Sequence, residues 1–167
     1  MVRRVVTGED TDGAAAVRQD GPVEFSIVAG AFKFAQLWGG DATPKFPHAG
    51  AEPVNLDLMP GPGGYRFVLM RIEPGQSTDP EETERALFAQ SGVDQAEGGE
   101  AGMHRTDTVD LGVVVSGLVA MEMADGTVVE LGRGDVFIQN GTYHKWSNPG
   151  PEPCEVVVAM IGGHPRT

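Results

Sequence analysis

The chain has 167 residues, a formal net charge of −12, 24 glycines, 12 prolines and one cysteine. One domain of this length buries a sizeable core. The acidic balance argues against nucleic acid and anionic membrane surfaces as partners, because both are polyanions. The single Cys154 excludes an internal disulfide. No apolar run reaches the length of a membrane span, and no apolar stretch follows Arg3 and Arg4, so the expectation is a cytoplasmic chain.

In chain order, residues 8–22 are polar and Gly-containing and read as a loop or arm. Val23–Ala29 and Ala31–Trp38 read as a strand pair around Gly30, and the Pro-rich stretch 39–64 as a long connection. Tyr65–Glu73 is a strand closed by Pro74-Gly75. Residues 76–102 form an insertion whose pattern predicts a short helix. Asp79 suits its cap, Pro80 its first position, Glu81 and Glu82 its positive end, and Ser91-Gly92 its stop. Such an element beside a pocket is either a lid or a packing decoration.

From Met103 onward the pattern is short strands and turns. Asp110–Ser116, the alternating stretch around Val119, Met121 and Met123, Thr127–Leu131, Val136–Gln139, Tyr143–Ser147 and Glu155–Ile161 read as strands, with a hairpin turn at Asp125-Gly126. Eight or more short antiparallel strands favour a closed double-sheet barrel, which leaves few open edges.

Chemistry concentrates in the C-terminal half. Positions 104, 106, 108 and 110 share parity, so in one extended strand His104, Thr106 and Asp110 point to one face. His144 joins from a later strand. Two neutral imidazoles and a carboxylate form a recurrent set for Fe(II), Mn(II) or Zn(II). Each histidine is also readable as a polar core residue bonded to a backbone carbonyl. Trp146 shares parity with His144 and suits a pocket wall or the core, and Tyr143 flanks it. Arg66, Arg71 and Arg105 are candidates for a carboxylate substrate, Arg105 having the wrong parity for the His104 face. Gln139 is structural or substrate-contacting. Cys154, with no base beside it, is no nucleophile candidate.

His104, Asp110 and Gly117, then Gly134-Asp135, Gly141, His144 and Asn148, resemble the two signature motifs of the cupins. The first family motif is His-x-His, a Glu and a closing Gly. Here Thr106 stands at the second His and Asp110 at the Glu. Asp is one carbon–carbon bond shorter, about 1.5 Å. In the second motif Gln139 stands where Pro is usual. The resemblance covers about residues 64–160. It implies an all-β, cupin-type double-stranded β-helix (a jelly-roll barrel) over 64–167 with the helical insertion at 76–102. Residues 1–63 then form an arm, strand pair and Pro-rich loop packed on the barrel.

The resemblance also implies a divalent transition metal (Fe, Mn or Zn) on His104, Asp110 and His144. Asp110, His144 and Tyr143 are then catalytic, and Thr106, Gln139, Trp146 and Arg66 contact substrate. It implies a homodimer, for which the strands at 23–38 offer an edge. The function expected is metal-assisted lyase or isomerase chemistry on a carbonyl or hydroxy-acid small molecule. An Fe(II)-dependent dioxygenase and a non-catalytic ligand-binding barrel are the alternatives, because the fold hosts many activities.

Overall fold

A computed structural model describes residues 1–54, 56–75, 94–95 (backbone) and 102–166. Thirteen strands are present among the described residues: β1 (Val2–Glu9), β2 (Ala15–Val23), β3 (Ile27–Ala29), β4 (Phe32–Gly40), β5 (Tyr65–Ile72), β6 (Asp94–Gln95), β7 (His104–Arg105), β8 (Thr108–Ser116), β9 (Leu118–Met123), β10 (Val128–Gly132), β11 (Val136–Gln139), β12 (His144–Ser147) and β13 (Cys154–Gly162). No helix occurs among the described residues, and hence none long and apolar enough to cross a membrane. The helix expected around residues 79–91 lies outside the described residues, as does the question of a lid.

Two sheets make the barrel. One has six strands in the order β11-β8-β13-β5-β4-β3, the other five in the order β10-β9-β12-β7-β6, and every pairing is antiparallel. Even-numbered positions of β5, β8 and β13 face inward, because a pleated strand alternates its side chains between faces. Val68, Met70, Ile72, Val114, Val156, Val158 and Met160 from the larger sheet meet Val119 from the smaller one in the main core. Removing these side chains from water supplies most of the driving force, at roughly 1.5–3 kcal/mol each.

The loop expected at 8–22 is corrected. β1 and β2 form an antiparallel hairpin, with a register shift between Val6 and Thr7. Asp10 organises its turn: Oδ1 accepts the backbone N–H groups of Asp12 (3.0 Å) and Ala14 (2.8 Å). The segment looked like a loop because a two-stranded ribbon exposes most of its side chains, so little of it is apolar. Its ends carry the packing. Val2, Val23 and Phe25 cover Ala35, Leu37 and Leu69 on the outer face of the six-stranded sheet.

Gly112 sets the interior. A Cβ there would lie 2.1 Å from the Phe137 ring, its register partner on β11. The missing side chain lets Phe137 lie flat across β8 and reach Trp146 on the opposite sheet, with ring centroids 4.9 Å apart. At Gly117 the chain turns from β8 into β9 with φ of 75°, a left-handed conformation that favours glycine.

Candidate functional site

The barrel interior changes from apolar to polar along a row of register partners: Gln139, Asp110, Met160 and Arg66 lie side by side on β11, β8, β13 and β5. On the facing sheet, His144 of β12 sits between His104 of β7 and Met123 of β9. The two imidazole centroids are 4.6 Å apart, with planes at 50°. His144 is 2 % exposed.

Backbone bonds fix both rings. His104 Nδ1 is 2.9 Å from the Gly102 carbonyl, and His144 Nδ1 is 2.8 Å from the Thr142 carbonyl. A carbonyl accepts only, so each Nδ1 carries a proton, and a neutral His144 ring then has its lone pair at Nε2. Burial holds the His144 imidazole down at about 4; the nearby His104 adds to this, and the Thr142 carbonyl opposes it. His144 is therefore neutral at pH 7.

Trp146 completes this wall two residues on, its ring edge-on to His144 at 5.6 Å. The turn before β12 is held by Gln139, whose Oε1 accepts from Thr142 Oγ1 (2.6 Å) and Thr142 N (3.3 Å). Gln139 Nε2 lies 3.7 Å from Met121 Sδ. Gln139 thus orients Thr142, and the Thr142 carbonyl orients His144.

Asp110 occupies the opposite wall. Thr106, Thr108 and Asp110 form a chain with 2.7 Å between hydroxyls and 2.7 Å from Thr108 Oγ1 to Asp110 Oδ1. Thr108 has one proton and donates it to Asp110, so Thr106 donates to Thr108. Burial pushes the Asp110 carboxyl up to about 6, and the Thr108 hydrogen bond only partly offsets it. Thr108 lay on the parity row without an assigned role. The signal was a hydroxyl two residues before an inward carboxylate.

The single-strand reading of 104–110 is corrected. The chain passes from the five-stranded to the six-stranded sheet between Arg105 and Thr108, so His104 and Asp110 both face inward but from different sheets. The structure brings His104, His144 and Trp146 together, and joins Thr106 to Asp110. Tyr143 is set apart, against the Arg105 guanidinium, which lies 4.6 Å from its ring centre. Arg66, 2 % exposed, donates to the carbonyls of Asp57 (2.6 Å), Gly40 (2.9 Å) and Tyr65 (3.0 Å) and to Asp41 Oδ1 (2.6 Å). Those bonds tie it to the ends of the Pro-rich connection. Asn148 donates to the carbonyls of Ile72 (2.9 Å) and Glu152 (2.8 Å), a staple between loop and barrel.

The Nε2 atoms of His104 and His144 are the right donors for a divalent ion. Yet among the described residues no group of three or more His, Cys, Asp or Glu side chains is placed to hold one. Among the described residues the donor set is one ligand short of the usual three, and no step below is routed through a metal.

Two facing antiparallel sheets with a polar site inside one end define a double-stranded β-helix barrel. Residues 93–160 match the family model of the cupin domain. That segment is under half of the chain, and it is similar to the cupin domain. The structure is similar to the Schizosaccharomyces pombe Cnp3 cupin domain, with a TM-score of 0.50 over 97% of this chain and 88% of that one. At 11% identity this likeness concerns the fold alone. Over 56 residues the chain is 46% identical to "Phomopsin biosynthesis cluster protein C'" of Diaporthe leptostromiformis, covering 34% of this chain and 30% of that protein. Over 71 residues it is 35% identical to "Cupin-domain-containing oxidoreductase fogC" of Aspergillus ruber, covering 40% of this chain and 35% of that protein. The matched part is thus about a third of the length of these curated relatives.

Proposed function

We propose that this protein is a small-molecule enzyme that moves protons inside the barrel. The reaction class is dehydration, decarboxylation or isomerisation of a carbonyl or hydroxy-acid compound. The observation that carries this reading is the His104–His144 pair, 4.6 Å apart, with both Nδ1 atoms bonded to backbone carbonyls. That arrangement presents a neutral imidazole Nε2 as a general base in a buried site. The Asp110 carboxyl on the facing wall, held up at about 6, supplies the partner acid. For a dehydration, His144 Nε2 takes the proton next to the carbonyl. Protonated Asp110 gives its proton to the departing hydroxyl, and water leaves. Trp146 provides an apolar wall that excludes competing water.

A second reading is oxidation. It is favoured by the local match to a relative whose name calls it an oxidoreductase. The ion implied would be iron, held by the His104 and His144 Nε2 atoms and completed by substrate or solvent oxygen. A relative named for a biosynthesis cluster also fits a small organic substrate.

The test is turnover of a panel of hydroxy-acid and carbonyl compounds by chelator-stripped and metal-replete protein, with metal content measured beside it. The acid–base reading expects the stripped protein to retain activity, with Asp110→Asn and His144→Ala each losing at least ~100-fold in kcat/KM. Oxygen-dependent turnover that disappears on stripping and returns with Fe(II) would replace it with the oxidative reading. Saturable binding without turnover would make the barrel a ligand carrier.

A further inference from the structure

A cavity lies outside the barrel, along the stretch of β4 that β3 leaves unpaired. β3 takes Phe32, Lys33 and Phe34, and Gln36 and Trp38 follow beyond its end. Pro22 and Val23 at the end of β2 form one side, and Pro53 and Leu56 of the Pro-rich connection form the other. Its volume is about 380 Å³, within the range of roughly 300–1,000 Å³ usual for small-molecule sites. None of His104, Asp110, His144 and Trp146 lines it.

The cationic group in this cavity is already engaged. Arg4 donates to the Leu37 carbonyl (3.1 Å), Gln19 Oε1 (2.7 Å) and Glu52 Oε1 (2.6 Å), and its guanidinium lies 5.8 Å from the centre of the Trp38 ring. The Gln36 amide nitrogen donates to the carbonyls of Leu56 (3.2 Å) and Asp57 (3.4 Å). What is left over accepts. Gln36 Oε1 and the Glu24 carboxylate have no hydrogen-bond or ionic partner among the described residues, and both residues line the cavity. Glu52 neutralises Arg4, so Glu24 leaves one negative charge uncompensated there.

We infer that this cavity binds a small organic amine in its protonated form. Glu24 and Gln36 Oε1 supply acceptors for the ammonium N–H groups, and a bond from an ammonium to a carboxylate is stronger than one between neutral groups. Trp38, Pro22 and Pro53 cover the apolar body of the ligand. An indole also attracts a cation through the negative face of its ring. The two prolines have fixed φ angles, so the walls lose little freedom when the ligand enters. An anion fits poorly. It would have to draw Arg4 away from Glu52 and Gln19 while facing the Glu24 charge. A neutral ligand leaves the Glu24 charge without a partner and gains apolar contact alone. The chain's net charge of −12 favours the approach of a cation.

The test uses the full chain with benzylammonium as the probe, and benzyl alcohol and benzoate as its neutral and anionic counterparts. The chain has two tryptophans, Trp38 at this cavity and Trp146 in the barrel, so their indole N–H resonances report the two places separately. Trp38→Phe assigns the signals. Benzylammonium should shift the Trp38 signal saturably, and added salt should weaken it. Benzyl alcohol should bind about tenfold more weakly or worse, for want of the charge-assisted bond. Benzoate should leave the signal in place. Glu24 is exposed, so Glu24→Gln should fold as the wild type does. It should weaken the amine about tenfold. Glu9→Gln removes the same charge from an exposed position outside the cavity lining and should leave binding unchanged. A Trp38 signal that stays in place at tens of millimolar amine overturns the inference, as does a response of Trp146 alone. Benzyl alcohol or benzoate binding as tightly as the amine also overturns it. So does an affinity that Glu24→Gln leaves unchanged, or that Glu9→Gln lowers equally.

Discussion

His104 and Asp110 lie six positions apart in the chain yet on opposite walls of the barrel, one in β7 of the five-stranded sheet and one in β8 of the six-stranded sheet. The crossing between them separates the site into two halves. One is an imidazole pair; the other is a carboxyl at the end of a threonine chain.

The imidazole half predicts a tautomer. Both rings should carry a proton at Nδ1, and long-range proton–nitrogen correlation spectra should show an unprotonated Nε2 signal for His144 at pH 7. Finding the Nε2–H form for His144 would mean that the Thr142 carbonyl bond is not made in solution.

The two walls should also pull stability in opposite directions with pH. Asp110 has a folded value of about 6 against 3.8, so the folded state holds the extra proton and stability falls as pH rises between those values. His144 has a folded value of about 4 against 6.5, so the unfolded state holds the extra proton and stability rises as pH rises through that window. The opposing slopes nearly cancel in the wild type between about pH 4 and 6. Asp110→Asn should expose the rising histidine slope and gain on the order of 2–3 kcal/mol relative to wild type above pH 6. Denaturant titrations of wild type and variant across pH 4–8 measure this. An unchanged pH slope in Asp110→Asn would show that the carboxyl is solvated.

Gln139→Leu tests positioning. It removes the acceptor for two Thr142 donors and should cost roughly 1–2 kcal/mol of stability. If Gln139 acts through Thr142 on His144, kcat should fall with little change in KM, and Gln139→Glu, which keeps the acceptor oxygen, should recover part of kcat. A change in KM alone would indicate direct substrate contact.

Gly112→Ala should destabilise the protein by about 1–3 kcal/mol, since its methyl group would meet the Phe137 ring. Phe137→Leu in the same chain should relieve part of that cost. Additive losses in the double variant would show that the two positions do not press on each other.

Alternation of Val156, Val158 and Met160 along β13, the Asp125-Gly126 turn and the spacing of His104, Gly117, His144 and Asn148 were sufficient for an all-β barrel and for the pairing of the two histidines. These signals are local, or fixed by strand period, and a sequence displays them directly. The hairpin β1–β2 was hidden because its faces are mostly solvated, leaving no apolar period to read. Arg66 looked available for substrate because nothing local shows that the carbonyls of Gly40 and Asp57 reach it. The parity argument that put Asp110 beside His104 holds only within one strand, and where a chain changes sheets is a tertiary choice. The closeness of His104 and His144 thus followed from sequence. Which wall each occupies and which bonds fix them depended on long-range pairing and packing, because those contacts join positions far apart in the chain.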